Sequence, residues 1–307
     1  MNTFEQTPTP VATRRPMAVF YTPRMVASSA GSGSPSAAKP GQVVASWVRR
    51  GIPIELREPV PVTAVELSLA HDPGFVRDVL AGRVANGFGS RSLDVAASLP
   101  YTTGAMLSAA RHVLEHGGAA SAPCSGFHHA GYRRATGYCT FNGLMVTACA
   151  LKEAGLVRRV GVLDCDQHHG DGTDAILDRL GARSWVRHFT AGEHYSRESQ
   201  AAEFLERLPE IVGEMADCDV VLYQAGADPH VDDPLGGWLT TEQLRQRDAR
   251  VFTRLRDDGV PVVWNLAGGY QREADGSIPR VLEIHDNTAI ECVRVFGGSA
   301  PSGKSQR

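Results

Sequence analysis

The sequence predicts an α/β fold: one domain with a central, mainly parallel β-sheet and helices on both faces. Three observations carry this. Short β-branched and apolar runs alternate with longer stretches of helical periodicity, the pattern of a sheet buried on both sides. A chain of 307 residues that is 42% hydrophobic is long enough for one large core. The three strongest strand candidates each end in a polar, chemically active segment, where open parallel sheets place their ligands.

Taken in order, residues 1–15 are polar and proline-bearing and are expected to be loose, as is the tail 298–307, leaving 16–297 as the folded domain. A short apolar strand is expected at 17–21. The stretch 27–41, ASSAGSGSPSAAKPG, reads either as a plain surface loop or as a loop facing the substrate, and a helix follows it. Helical periodicity covers 63–81, 99–116 and 142–154. Beyond that point, strands at 159–164, 184–189, 219–224 and 261–266 alternate with helices at 173–180, 199–215, 241–257 and 278–295.

Composition limits the function. With 31 basic and 34 acidic residues the formal charge is −3, and no basic stretch is dense enough for a nucleic-acid footprint. No apolar run has the length of a membrane span, and the N-terminus lacks a secretory signal, so a soluble cytoplasmic protein is expected. The six cysteines show no C-x-x-C pair and sit mostly in apolar segments, as reduced, buried small hydrophobes do. A cysteine-built zinc site is not supported.

The chemistry gathers at three strand ends. The first, 164–172, reads DCDQHHGDG. In an extended segment Asp164, Asp166 and His168 share one face, and two carboxylates with an imidazole suit a divalent metal. Three protein ligands are expected, so one of these residues has another task or a ligand comes from elsewhere; Asp228, past the next strong strand, is the other candidate. An isolated D-x-H would more often cap a helix. The crowding of ionisable residues here is expensive without an ion.

His128 and His129 stand in a glycine-flanked loop and read as surface residues, metal ligands or proton-transfer groups. As proton-transfer groups each needs a carboxylate on its far nitrogen, and Asp164 and Asp171 are the acids left over once Asp166 goes to the metal. Tyr270, after Gly268 and Gly269, can reach a developing oxyanion as a donor, although a tyrosine after two glycines is more often a packed loop residue.

These residues spell out a family. SGFHHA (125–130), GYCTFN (137–142), DCDQHHGDGT (164–173), GAD (226–228), DPLGG (233–237) and GGY (268–270) occur in order, and over roughly 60–295 the chain resembles the histone deacetylases and their bacterial acetylpolyamine amidohydrolase relatives. The resemblance implies an arginase-like domain and a zinc-dependent amidohydrolase acting on linear amides. It implies one Zn2+ on Asp166, His168 and Asp228, with His129 as general base partnered by Asp171. His128 partnered by Asp164 is the second histidine, and Tyr270 polarises the scissile carbonyl. Gly137 and Tyr138 match the tunnel wall, where Phe is commoner. A K+ ion beside the zinc is also implied, held partly by the backbone of Asp164, Asp166 and His168.

Three departures bear on this. The His- and Arg-bearing N-terminal loop of many relatives is replaced by the Ser/Gly/Pro loop. Leu235 stands where a polyamine-selective relative has a glutamate, and Val186 and Arg187 lie near a position where some relatives have serine. The expected partner is an acylated lysine-like or small amine substrate, with neither nucleic acid nor membrane, and homo-oligomerisation is left open. Two rival functions are a non-catalytic binder of acylated ligands and a dinuclear-metal ureohydrolase on the same fold.

Overall fold

Residues 15–28 and 33–298 are described by the computed structural model of the protein. The expectations for a loose N-terminus (1–15) and tail (298–307) fall, apart from Arg15 and Gly298, outside the described residues, as does 29–32 of the Ser/Gly/Pro loop.

The strands are β1 (Met17–Phe20), β2 (Ile54–Arg57), β3 (Ala119–Ala122), β4 (Val160–Asp164), β5 (Val186–Thr190), β6 (Val220–Gly226) and β7 (Val262–Ala267). Among the described residues they form one sheet in the order β2-β1-β3-β7-β6-β4-β5, with every neighbouring pair parallel. The helices are α1 (Lys39–Arg49), α2 (Ala64–Leu67), α3 (Pro73–Leu80), α4 (Leu93–His116), α5 (Gly143–Glu153), α6 (Asp171–Leu180), α7 (Ala191–His194), α8 (Ala201–Gly213), α9 (Thr241–Asp258) and α10 (Pro279–Phe296).

Strands β4, β6 and β7 are buried at every position because both faces are covered. On one face α1, α8, α9 and α10 contribute Trp47, Phe204, Phe252 and Ile284. On the other, α4, α5 and α6 contribute Met106, Leu144 and Ile176. Trp264 of β7 packs between Trp47 at 5.5 Å and Phe252 at 6.2 Å, which locks the central strand to two helices at once.

Expectation and structure differ in four respects. The helix expected over 63–81 is two helices, α2 and α3, because Asp72 precedes Pro73: the residue before proline is pushed out of the helical region, and Asp72 instead caps α3 by accepting from the Phe75 amide. Helix α4 begins six residues before the expected start, with Ser92 as its cap, and runs through Pro100. Strands β2 and β3 were not expected. The β3 sequence, AASA, has little intrinsic strand preference and is a strand only because β1 and β7 pair with it on either side. The fourth difference is in the loop 27–41, whose last residues form the first turn of α1; Lys39 there is fully buried and donates to the Gly268 carbonyl oxygen. The plain surface-loop reading fails for this part of the segment.

Candidate metal and catalytic centre

Strands β3, β7, β6 and β4 lie side by side, and their carboxyl ends deliver His128 and His129, Tyr270, Asp228, and Asp166 with His168 to one place. Ligand atoms of Asp166, His168 and Asp228 all lie within 4.8 Å of one another. His168 Nδ1 stands 3.2 Å from Asp166 Oδ1 and 3.0 Å from Asp228 Oδ2. The approach depends on glycine: a Cβ on Gly268, whose φ is 51°, would lie 2.1 Å from the Asp228 carboxyl carbon. Gly268 thus serves the close packing of its loop against Asp228.

The donor set suits a divalent cation. Burial and the neighbouring Asp166 push the Asp228 carboxyl up, away from its charged form. Burial also opposes the Asp166 charge, but His128 and His168 outweigh it and hold that carboxyl below the usual range. His168 is raised to about 10 by its bonds to Asp166 and Asp228, so that a proton stands in for the positive charge the carboxylates demand. Two carboxylates and an imidazole are ligand types that zinc and other divalent cations accept, with a position left open for water or substrate.

Asp164, the third member of the local trio, points elsewhere. Its Oδ2 accepts from His128 Nδ1 at 2.7 Å and its Oδ1 from Gln224 Nε2 at 3.1 Å. Asp171 Oδ1 accepts from His129 Nδ1 at 2.7 Å, and Arg134 donates to its other oxygen. Each histidine therefore keeps its Nδ1 proton on a carboxylate, and His128 Nε2 lies 3.5 Å from Asp166 Oδ1. The two imidazoles, 4.1 Å apart, are pushed in opposite directions. Burial pulls His128 down, but Asp164 and Asp166 overcome it and raise it to about 9. Burial and the adjacent His128 lower His129. This divergence separates a proton acceptor from a proton holder.

Tyr270 is half-buried, and burial with the Asp228 and Asp166 charges raises its phenol well above its ordinary value, keeping it a donor. Its amide donates to Asp233 Oδ2 at 2.8 Å, which anchors the segment. Tyr138 faces it with ring centroids 5.4 Å apart. Residues 136–139 form a tight turn in which Gly137 and Tyr138 have φ of 55° and 62°; a Cβ at Gly137 would lie 2.4 Å from the His129 ring. Leu235 is 47% exposed on its loop.

Several supporting residues gave no sequence signal. Arg247 of α9, fully buried, donates to the carbonyls of Cys165 at 3.1 Å and Gly226 at 2.6 Å, tying together the ends of the strands that carry Asp166 and Asp228. Gln224 accepts from the Phe127 amide at 3.0 Å while donating to Asp164, so the histidine loop and the carboxylate move as one.

His71 donates from Nδ1 to the Gly131 carbonyl at 3.0 Å and accepts at Nε2 from the Asn142 amide at 2.8 Å, pinning the far end of that loop. Burial lowers the His71 pKa from 6.5 to about 4, because protonation would strand the charge and break the Asn142 bond. The unfolded chain then binds more protons than the folded one as pH falls from 6.5 towards 4. Stability is full above that window and should fall by about 1.4 kcal/mol per pH unit within it. Urea unfolding at pH 7 and pH 5 should show a drop larger by about 2 kcal/mol in wild type than in His71→Gln, which cannot titrate. Equal drops would show that His71 is not held neutral.

A second cluster, His169, Asp174 and Glu193, also brings ligand atoms within 4.8 Å. Asp174 there is already bonded by His169, His188 and Arg183, so its charge is spent on side chains. The described cysteines are all free and, apart from half-buried Cys149, buried. No helix among the described residues is long and apolar enough to cross a membrane.

Known proteins share parts of this sequence and its fold. The family model for the histone deacetylase domain matches residues 37–182 and 181–283. An uncharacterized Picosynechococcus protein is 27% identical over 242 residues, covering 71% of this chain and 80% of its own length. Acetylpolyamine amidohydrolase 1 of Pseudomonas aeruginosa is 27% identical over 192 residues, which cover 53% of this chain and 54% of that enzyme, so the match spans about half of each. The crystal structure of an acetylpolyamine aminohydrolase from Burkholderia pseudomallei superposes with a TM-score of 0.66 over 92% of this chain and 98% of that one, at 19% identity, a likeness of fold.

Proposed function

Because the chain belongs to the histone deacetylase family, we propose that it is a zinc-dependent deacylase hydrolysing the N-acyl amide of a lysine-like or small amine substrate. The observation that carries this reading is the convergence of Asp166, His168 and Asp228 beside two histidines of opposite proton affinity and a tyrosine donor. Residues 16–297 form the catalytic domain in this reading, and the protein works in the cytoplasm.

Zinc on Asp166, His168 and Asp228 would supply Lewis acidity, making a water nucleophilic near neutral pH and polarising the amide carbonyl. His129, neutral and held by Asp171, takes the proton of the attacking water at Nε2. Tyr270 donates its hydroxyl to the oxygen on which charge develops. His128, protonated and held by Asp164, contributes positive charge and a proton for the departing amine. The bonds from His129 and then Arg134 outweigh burial and keep Asp171 in its charged form, which preserves the orientation of His129. A K+ ion beside the zinc would rest partly on the backbone carbonyls of Asp164, Asp166 and His168; Arg187 turns its side chain away to Asp217, while the Thr190 hydroxyl lies 3.4 Å from Asp164 Oδ2.

Metal analysis tests the centre itself. About one zinc per chain is expected, and its removal by a chelator should abolish activity and lower the Tm, both restored by added Zn2+. Two ions per chain would favour the dinuclear ureohydrolase, whose bridging acids would have to be Asp164 or Asp171, each committed here to a histidine. Metal binding without hydrolysis of any acyl amide would favour the non-catalytic binder.

A further inference from the structure

Tyr270 sits on residues 268–278, which join β7 to α10 with no helix or strand of their own. A donor on such a segment has to be aimed by its contacts. We propose that Gln271 and His230 form a clamp that aims the Tyr270 hydroxyl, which makes Gln271 a positioning residue for the hydrolysis. The inference rests on the deacylase reading above and adds to it what holds the oxyanion donor in place.

The clamp is one chain of hydrogen bonds. The Gln271 side-chain amide donates to His230 Nδ1 at 2.8 Å. The Asp232 backbone amide donates to the same nitrogen at 3.1 Å, so Nδ1 carries no proton. The ring proton is therefore on Nε2, which donates to the Thr241 hydroxyl at 2.9 Å, on the first residue of α9. The same logic orients Gln271, since only its NH2 end can face an accepting nitrogen. His230 is itself firmly seated. Its side chain is buried and its backbone bridges to Leu239. Beside it the Pro229 carbonyl accepts from the amides of Trp238 and Leu239 at 2.8 and 2.7 Å, and both of those residues belong to the core.

Two successive residues are thus tied to the loop that follows Asp228. The Tyr270 amide donates to Asp233 Oδ2 at 2.8 Å, and the Gln271 side chain reaches His230. A bond on each side of the Tyr270–Gln271 peptide restrains its rotation. The phenol hydroxyl lies far from that peptide along the side chain, so a small rotation there would move it a long way. Catalytic groups need their geometry held within about 0.5 Å, and a misplacement of about 1 Å can cost about 10²-fold in rate. Gln271 does not line the pocket that His128, Asp166 and Tyr270 share, so its effect passes through Tyr270.

The experiment is a double-mutant cycle on the zinc-loaded enzyme with an acyl-lysine coumarin amide. It places Gln271→Ala in the wild-type and the Tyr270→Phe backgrounds. Gln271 is half-buried on a loop, so its truncation leaves the core untouched. In the wild-type background Gln271→Ala should lower kcat about tenfold, with KM and zinc content changed by less than about twofold. In the Tyr270→Phe background the same substitution should change kcat by less than about twofold, because no hydroxyl is left to aim. A kcat within about twofold of wild type, a loss that appears in KM instead, or a loss that persists in Tyr270→Phe overturns the clamp and leaves the deacylase reading standing. Full activity of Tyr270→Phe overturns the donor role and the clamp with it. No hydrolysis by the wild-type enzyme overturns both readings.

Discussion

Tyr270→Phe is expected to lower kcat by about 10²–10³-fold, the usual cost of removing one donor from a developing oxyanion, with KM and zinc content little changed. The substitution removes only the hydroxyl. The ring keeps its packing against Tyr138, and the backbone stays anchored by the bond from the Tyr270 amide to Asp233. Burial and the carboxylates around it hold the phenol protonated, so the donor is present throughout the accessible pH range. Steady-state kinetics on an acyl-lysine coumarin amide, with zinc measured on the same sample, decides the matter. Full activity in Tyr270→Phe would show that the hydroxyl takes no part and that the assigned mechanism is wrong.

The second large effect is at His129. His129→Ala should reduce kcat by about 10²–10⁴-fold, the range for loss of a positioned general base, again with zinc retained because His129 is not a ligand. Its lowered pKa, caused by burial and then by His128, makes it neutral and able to accept a proton at pH 7. The wild-type rate should accordingly stay level as pH falls past the ordinary imidazole value of 6.5 and drop only below it. Asp171→Asn should give a smaller loss than His129→Ala, since it disturbs the imidazole's orientation and tautomer but leaves the base in place. If His128→Ala proved more damaging than His129→Ala and removed the acidic limb, the two histidines would have exchanged roles.

The active elements were the most legible part of the chain because each is a local pattern: a fully apolar strand followed at once by glycine and ionisable residues. Strands β4, β6 and β7 and the residues at their ends could be located this way. Spacing alone, however, grouped Asp164 with Asp166 and His168. The folded chain gives Asp164 to His128 and brings in Asp228 from the next strand, since the chain turns after β4 and alternate residues no longer share a face. Strand β3 and the break before Pro73 show the same contrast: a proline rule can be read from two residues, whereas AASA becomes a strand only between two partners.

By itself the sequence determined the α/β class, the family resemblance and the identity of the metal, histidine and tyrosine candidates, because covalent neighbours carry that information. The tertiary structure alone decided what surrounds them. Lys39 reaches Gly268 across 229 positions, His71 reaches Asn142 across 71, and Arg247 reaches Cys165 across 82. The physical reason is that such groups are buried polar atoms whose role is set by the partner they meet, and no local periodicity records a partner that distant.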